Sequence, residues 1–132
     1  MAQKRHIYLD YAAATPVDPA VMDAMLPYLR DQFYNPSALY LAARQTRGAY
    51  EQARSTVAQL IGARPGEVIF TAGATEANNL AIQGVMQYFS DANMVTSAIE
   101  HESVLAPGRR FDCREIPVSE KGHIDFLALS EA

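Results

Sequence analysis

The spacing of apolar residues changes at Gly62. Before it, apolar positions recur at helical intervals and predict a first helix near residues 19–31, with Asp18 as its cap and Pro19 at the first helical position. Residues 38–61 contain no proline and no alternating pattern, so they predict a long second helix that Gly62 ends.

After Gly62, short apolar runs alternate with helical windows. The alternation predicts strand, helix, strand, helix, strand and a last helix after Asp125. Such an order is typical of right-handed βαβ units in an α/β sheet. The strands are expected at residues 68–71, 94–97 and 113–118, and the helices between them at residues 78–89 and 103–110.

The pattern divides the 132 residues into three parts. Residues 1–17 are expected to form an extended N-terminal segment, residues 18–62 the N-terminal helices, and residues 63–132 an incomplete α/β domain. Because the alternation stops in mid-pattern, we expect a truncated sheet. A truncated sheet exposes apolar surface, which predicts self-association or a homodimer.

Composition narrows the classes of function. The chain is 49% hydrophobic and 20% charged, as in ordinary globular domains, and its net charge of −4 argues against nucleic-acid binding. No window resembles a signal peptide or a membrane span, so we predict no membrane association and a cytoplasmic location. The single cysteine, Cys113, excludes an intramolecular disulfide, and His6 and His123 lack the spacing of metal ligands.

The segment of residues 69–76 runs from a predicted strand through Gly73 into a predicted helix. At a helix N-terminus the first backbone N–H groups lack partners and the macrodipole is positive, so a phosphate can bind there without a lysine. Gly73 lets a ligand approach, and the Thr75 hydroxyl adds a donor. Taken alone, the turn favours an ordinary β-to-α connection, with Gly73 for the turn and Thr75 as a cap.

Several motifs in one order carry a resemblance to a known family. They are the stretches at residues 8–16, 35–37, 53–54, 70–79 and 100–101. In that order and at those intervals, the chain resembles the N-terminal part of the cysteine desulfurases, pyridoxal-phosphate enzymes of the aspartate-aminotransferase fold. It departs from the family at Tyr40, where a histidine is usual, and at Ala43, where a glycine is frequent.

The resemblance implies roles for particular residues. It implies that Ala74 and Thr75 bind the cofactor phosphate, that Gly73 shapes the turn, and that His101 stacks on the pyridine ring and transfers protons. Read without the family, His101 is also explained as a cap of the helix that begins near residue 103. A separate pair of residues, Asn35 and Ser37, either neighbours the active site or simply begins a helix.

The residues that anchor pyridoxal phosphate covalently are not evident in the sequence. Such enzymes need a lysine, but Lys4 lies in the terminal tail and Lys121 in a polar turn. Cys113 begins a predicted strand, where a small buried thiol is expected rather than the persulfide-forming nucleophile of the family. We therefore expect this chain alone to be inactive and to bind the cofactor weakly and reversibly.

The resemblance implies an activity for the complete enzyme. It converts L-cysteine to L-alanine and passes persulfide sulfur to an acceptor or iron–sulfur scaffold protein, for the assembly of iron–sulfur clusters or thio-cofactors. Two alternatives remain open from the sequence. One is a non-catalytic scaffold module that pairs with a separate remainder or binds a sulfur-acceptor protein, and the other is a different class V pyridoxal-phosphate transaminase or lyase.

Overall fold

A computed structural model describes residues 7–132 and divides the chain into two compact units, which meet in sequence at Val68 and Ile69. The predicted tail residues Lys4 and His6 lie outside the described residues. The elements are the helices α1 (Pro19–Arg30) and α2 (Leu41–Ile61), a 3-10 turn (Pro65–Glu67), helix α3 (Ala74–Tyr88), strand β1 (Met94–Ser97), helix α4 (Glu102–Gly108), strand β2 (Cys113–Ile116) and helix α5 (Phe126–Ser130).

Helix α1 begins as the sequence predicts. The Asp18 carboxylate accepts a hydrogen bond from the Ala20 N–H at 2.8 Å, and Pro19 occupies the first helical position. Pro27 lies inside the helix without ending it, and α1 continues to Arg30. Ahead of the helix, the Asp10 carbonyl accepts from the Ala13 N–H at 3.0 Å, so a turn interrupts the segment predicted to be extended.

Helix α2 begins three residues later than predicted. Asn35 and Ser37 form a turn of their own, because the Asn35 Oδ1 accepts from the Ser37 N–H at 2.9 Å. Tyr40 then takes the N-cap position without a side-chain hydrogen bond. At its other end the helix stops at Gly62, whose φ of 68° is left-handed. The Arg54 guanidinium donates to the Val68 carbonyl, which ties the segment after the 3-10 turn to α2.

The second unit is built around a β1–α4–β2 arrangement. The two strands pair in parallel, with Met94 opposite Cys113 and Ser97 opposite Ile116. Helix α4 connects them and packs against α3. Its last residue, Gly108, lies so close to the strands that an added Cβ would be 3.0 Å from the Met94 Sδ and 3.2 Å from the Cys113 Sγ.

The predicted strand at residues 68–71 does not form. A strand needs a neighbour for its N–H and C=O groups, and within residues 7–132 the sheet contains β1 and β2 only. Strand β2 is also shorter than predicted, because Pro117 follows Ile116 and lacks an N–H donor. Val118 instead forms an isolated antiparallel bridge with Ile124. Helix α3 begins at Ala74, four residues before its predicted start.

The buried apolar core is small. In the described part of the chain, the hydrophobic core consists of two alanines, three aliphatic side chains and one methionine: Ala43, Ala58, Val68, Leu105, Ile116 and Met86. Large apolar side chains stay accessible, including Leu39 at 91% and Leu9 at 87% exposure. None of the described helices is long and apolar enough to cross a membrane.

The two glycines associated with α2 predict opposite effects of the same substitution. Gly62→Ala is expected to lower the free energy of unfolding by about 1 kcal/mol, because alanine disfavours the left-handed conformation at the helix end. Gly48→Ala is the matched control, since a Cβ at Gly48 meets no atom within 4 Å. It should raise stability by about 0.5–1 kcal/mol through helix propensity. Urea denaturation measures the free energy of unfolding of both variants. A change of the same sign in both would contradict the left-handed helix end at Gly62.

Candidate functional site

The glycine turn leads directly into α3. Gly73 is the N-cap residue, and the first helical hydrogen bond runs from the Ala77 N–H to its carbonyl at 3.1 Å. The backbone N–H groups of residues 74–76 therefore precede the repeating pattern of the helix. A Cβ added at Gly73 would meet no atom within 4 Å, so the space beside the turn is open to a ligand.

Glu76 shapes the same turn, a role that the sequence motif did not predict. Its carboxylate folds back to accept a hydrogen bond from the Ala72 N–H at 2.7 Å. This bond resembles the reciprocal bond of a capping box, and an acidic residue in the first helical turn is the signal that could have found it. A phosphate at this turn would therefore bind beside a carboxylate, next to the backbone N–H groups of residues 74 and 75 at the N-terminus of α3.

Thr75 and His101 line the same cavity. This cavity has a volume of about 390 Å³, and its wall also includes Asn79, Ser103 and Arg110. A second depression of about 550 Å³ lies along residues 72–76 and Asn79. Because Thr75 and Asn79 belong to both, the glycine turn and the histidine border one continuous region of the surface.

The N-terminus of α4 holds the imidazole of His101. The His101 Nδ1 accepts a hydrogen bond from the Ser103 N–H at 3.0 Å, and the Ser103 Oγ lies 2.9 Å from the same nitrogen. A backbone N–H can only donate, so Nδ1 is unprotonated in this geometry and a neutral ring carries its proton on Nε2. His101 therefore caps α4 and lines the cavity at the same time.

Ser103 also connects α4 to α3. It is buried, with 8% of its surface exposed, and its Oγ accepts a hydrogen bond from the Asn78 Nδ2 at 2.9 Å. Asn78 is half-buried on the first turns of α3. Sequence reasoning singled out neither side chain, because their contact joins positions 25 residues apart.

Charged side chains border the cavity on the α4 side. Arg110 lines it directly, and Glu102 lies on the same wall. The neighbouring Arg109 guanidinium binds the Glu115 carboxylate at 2.6 Å and lies 3.8 Å from Glu102. The hydrogen bond with Glu115 raises the pKa of Arg109, and the same contact lowers the pKa of Glu115. Arg110 is thus the cation that this wall presents to an anionic ligand.

Cys113 occupies a structural position. It is the first residue of β2, is half-buried, and its Sγ packs near Gly108. Burial raises the pKa of its thiol, and the negative charge of Glu115 raises it further. A thiol with a raised pKa contains less thiolate, the nucleophilic form.

The remaining candidate residues do not belong to the wall of this cavity as α3 and α4 form it. Asn35 and Ser37 belong to the first unit and form a turn there. Lys121 and His123 are exposed in the turn between β2 and α5. Among residues 7–132, no group of three or more metal-ligating side chains comes together.

Sequence comparison assigns nearly the whole chain to one family. The sequence profile described as "Aminotransferase class-V" matches residues 7–132. The chain is 43% identical over 129 residues to "Cysteine desulfurase IscS" of Dictyoglomus turgidum, covering 92% of this chain and 33% of that protein. It is 43% identical over 136 residues to "Cysteine desulfurase" of Homo sapiens, which covers 97% of this chain and 30% of that protein. The chain spans about a third of the length of these relatives.

Comparison with solved structures supports the same fold. A "NifS-like protein" matches with a TM-score of 0.84 and 28% identity, over 96% of this chain and 37% of that chain. The structure titled "SspA in complex with cysteine" matches with a TM-score of 0.82 and 39% identity, over 95% of this chain and 38% of that one. The predicted α/β fold of the aspartate-aminotransferase type is confirmed by these neighbours.

The cap of α4 predicts different effects for two substitutions of His101. His101→Ala removes the acceptor for the Ser103 N–H and should lower the free energy of unfolding by about 1 kcal/mol. His101→Asn keeps an acceptor, since asparagine is among the best N-cap residues, and should stay near the wild-type value. Urea denaturation of both variants checks the expectation. Equal loss in both would show that the ring, rather than the cap, stabilises this region.

The environment of Cys113 predicts slow alkylation. Because its pKa is raised, less thiolate is present at a given pH, and the rate should reach half its maximum above the ordinary value of about 8.5. Iodoacetamide modification followed by mass spectrometry measures the rate across pH. The same chain unfolded in urea is the control and should react faster at pH 8. Equal rates in the folded and unfolded chains would contradict a buried structural role.

Proposed function

We propose that this chain, which belongs to the aminotransferase class-V family, contributes one half of the cofactor pocket of a pyridoxal-phosphate-dependent cysteine desulfurase. The observation that carries the proposal is the shared cavity of Thr75 and His101 beside the N-terminus of α3. Relatives named cysteine desulfurase, at 43% identity over nearly the whole chain, support the choice of reaction.

The phosphate of the cofactor would bind at the glycine turn. Residues 74 and 75 supply backbone N–H groups, the Thr75 hydroxyl supplies a further donor, and the 15-residue helix α3 adds its dipole. Gly73 keeps the approach open. These donors suit a phosphate dianion. The Glu76 carboxylate accepts from the Ala72 N–H, so the phosphate would have to lie away from that position.

His101 would lie against the ring of the cofactor. When bound, pyridoxal phosphate supplies an electron sink that stabilises negative charge on the substrate carbon. This chain contributes a planar imidazole on the cavity wall. Because Nδ1 accepts the cap hydrogen bond, the neutral ring carries its proton on Nε2 and acts there as a donor. Arg110 on the same wall adds positive charge for an anionic group.

The names of the relatives support a proposal for the substrate and partners. One solved neighbour is described as a complex with cysteine. We propose L-cysteine as the substrate of the complete enzyme, L-alanine as its product, and a sulfur-acceptor or iron–sulfur scaffold protein as the receiver of the persulfide, in the cytoplasm. Asn35 and Ser37 remain proposed neighbours of the active site.

By itself this chain is proposed to be inactive. Lys121 lies in an exposed turn, and the raised pKa of Cys113 disfavours a nucleophilic role. The covalent lysine and the persulfide cysteine would then come from the rest of an enzyme about three times as long.

The exposed apolar side chains favour a second candidate, a scaffold module. Among the described residues, large side chains such as Leu39, Leu60 and Phe126 are more than three-quarters exposed. Surface of this kind is usually covered by a partner. In this reading the chain binds a separate remainder, a second copy of itself or a sulfur-acceptor protein, and catalyses nothing.

A chimera tests the proposed activity. Residues 7–132 would replace the matching third of the Dictyoglomus turgidum relative, and the product would be assayed for L-alanine formed from L-cysteine. We expect turnover in the chimera and none in the 132-residue chain alone. Thr75→Val in the chimera should weaken pyridoxal phosphate at least about tenfold, and His101→Asn should lower kcat about a hundredfold.

The controls separate folding from function. Absorbance of bound pyridoxal phosphate shows whether the chimera is folded and loaded. A loaded chimera that makes no alanine would refute the desulfurase assignment and favour a transaminase or lyase. A borohydride-trapped adduct on the 132-residue chain would refute the claim that it lacks the anchoring lysine.

A further inference from the structure

A line of hydrogen bonds connects the half-buried start of α3 to the His101 ring. The Asn78 Nδ2 lies 2.9 Å from the Ser103 Oγ, and that oxygen lies 2.9 Å from the His101 Nδ1. We propose that Asn78 and Ser103 are positioning residues that hold His101 in the tautomer with the proton on Nε2. The proposal deepens the function proposed above, because it defines what the ring presents to the cofactor pocket.

The directions of these bonds follow from one fixed donor. The Ser103 backbone N–H donates to Nδ1 at 3.0 Å, so Nδ1 is an acceptor. The Ser103 hydroxyl, 2.9 Å from the same nitrogen, is favourable only if it also donates, since otherwise two lone pairs face each other. Its oxygen then accepts from the Asn78 amide, which orients the amide with Nδ2 toward Ser103.

Burial makes this orientation persistent. Ser103 is 8% exposed, so water competes little for its hydroxyl, and hydrogen bonds in such surroundings polarise one another. The neutral ring therefore offers an Nε2–H donor on the cavity side.

The tautomer can be read directly by nitrogen NMR. The 132-residue chain would be labelled with 15N-histidine, and two-bond proton–nitrogen correlations recorded near pH 8.5, where an ordinary imidazole is neutral. The chain has three histidines, and His101→Asn identifies the signal that belongs to His101. The wild-type chain should show an unprotonated Nδ1 and a protonated Nε2.

Substitutions of Asn78 and Ser103 are expected to shift the Nδ1 resonance of His101. Asn78→Asp replaces a donor by an acceptor of the same size, so the Ser103 hydroxyl should turn to the carboxylate and present a lone pair to Nδ1. The Nδ1 resonance should then move toward the protonated position. Ser103→Ala should move it partway, because the backbone N–H remains, and Ser103→Thr should restore the wild-type pattern.

Gln87→Glu is the matched control for charge. It adds the same negative charge to an exposed position of α3 and should leave the His101 signals in place. The proposal is overturned if the wild-type ring carries its proton on Nδ1, or if Ser103→Ala and Asn78→Asp leave its pattern unchanged. Should Asn78→Asp not fold, Ser103→Ala and its threonine rescue still decide the matter.

The measurement needs neither cofactor nor activity, so its outcome is separate from that of the chimera. A correct tautomer with an inactive chimera would leave the positioning role standing and refute the desulfurase assignment. An active chimera, with the tautomer unaltered in both Asn78→Asp and Ser103→Ala, would support the desulfurase assignment and refute the positioning role.

Discussion

The hydrogen bond between Asn78 and Ser103 joins α3 to α4, and the candidate site depends on it. Thr75 lies in the first turn of α3 and His101 caps α4, so the relative position of the two helices decides whether these two residues share a cavity. Ser103 is buried and Asn78 is half-buried, so breaking the contact would leave a buried hydroxyl without its amide donor. Such a loss costs about 1–3 kcal/mol, a large fraction of the stability of a small unit.

Packing in the same unit leaves little room for a side chain at Gly108. Gly108 ends α4 against the first residues of both strands, where its missing Cβ makes room for the Met94 and Cys113 sulfurs. This close approach fixes the C-terminal end of α4 against the two strands, while His101 caps its other end. It also brings the Cys113 Sγ beside the end of α4, in agreement with a packing role, and burial raises the pKa of this thiol.

Local signals in the sequence predicted several elements well. Asp18, Pro19 and Gly62 marked helix ends, and the structure confirms all three, because a cap or a left-handed glycine acts within a few residues of itself. The strand predicted at residues 68–71 was wrong for the opposite reason. Its apolar pattern is suitable, but a strand is stabilised by a neighbouring ladder, and local sequence carries no information about whether that neighbour is present.

The sequence by itself determined the family and the α/β fold class, since these depend on local composition and motif order. Tertiary structure alone decided that Thr75 and His101 border one cavity, that Arg110 joins its wall, and that Asn78 reaches Ser103. Contacts between positions 25 residues apart depend on how helices pack. Packing is set by the shapes of many side chains together, and no single stretch of sequence specifies it.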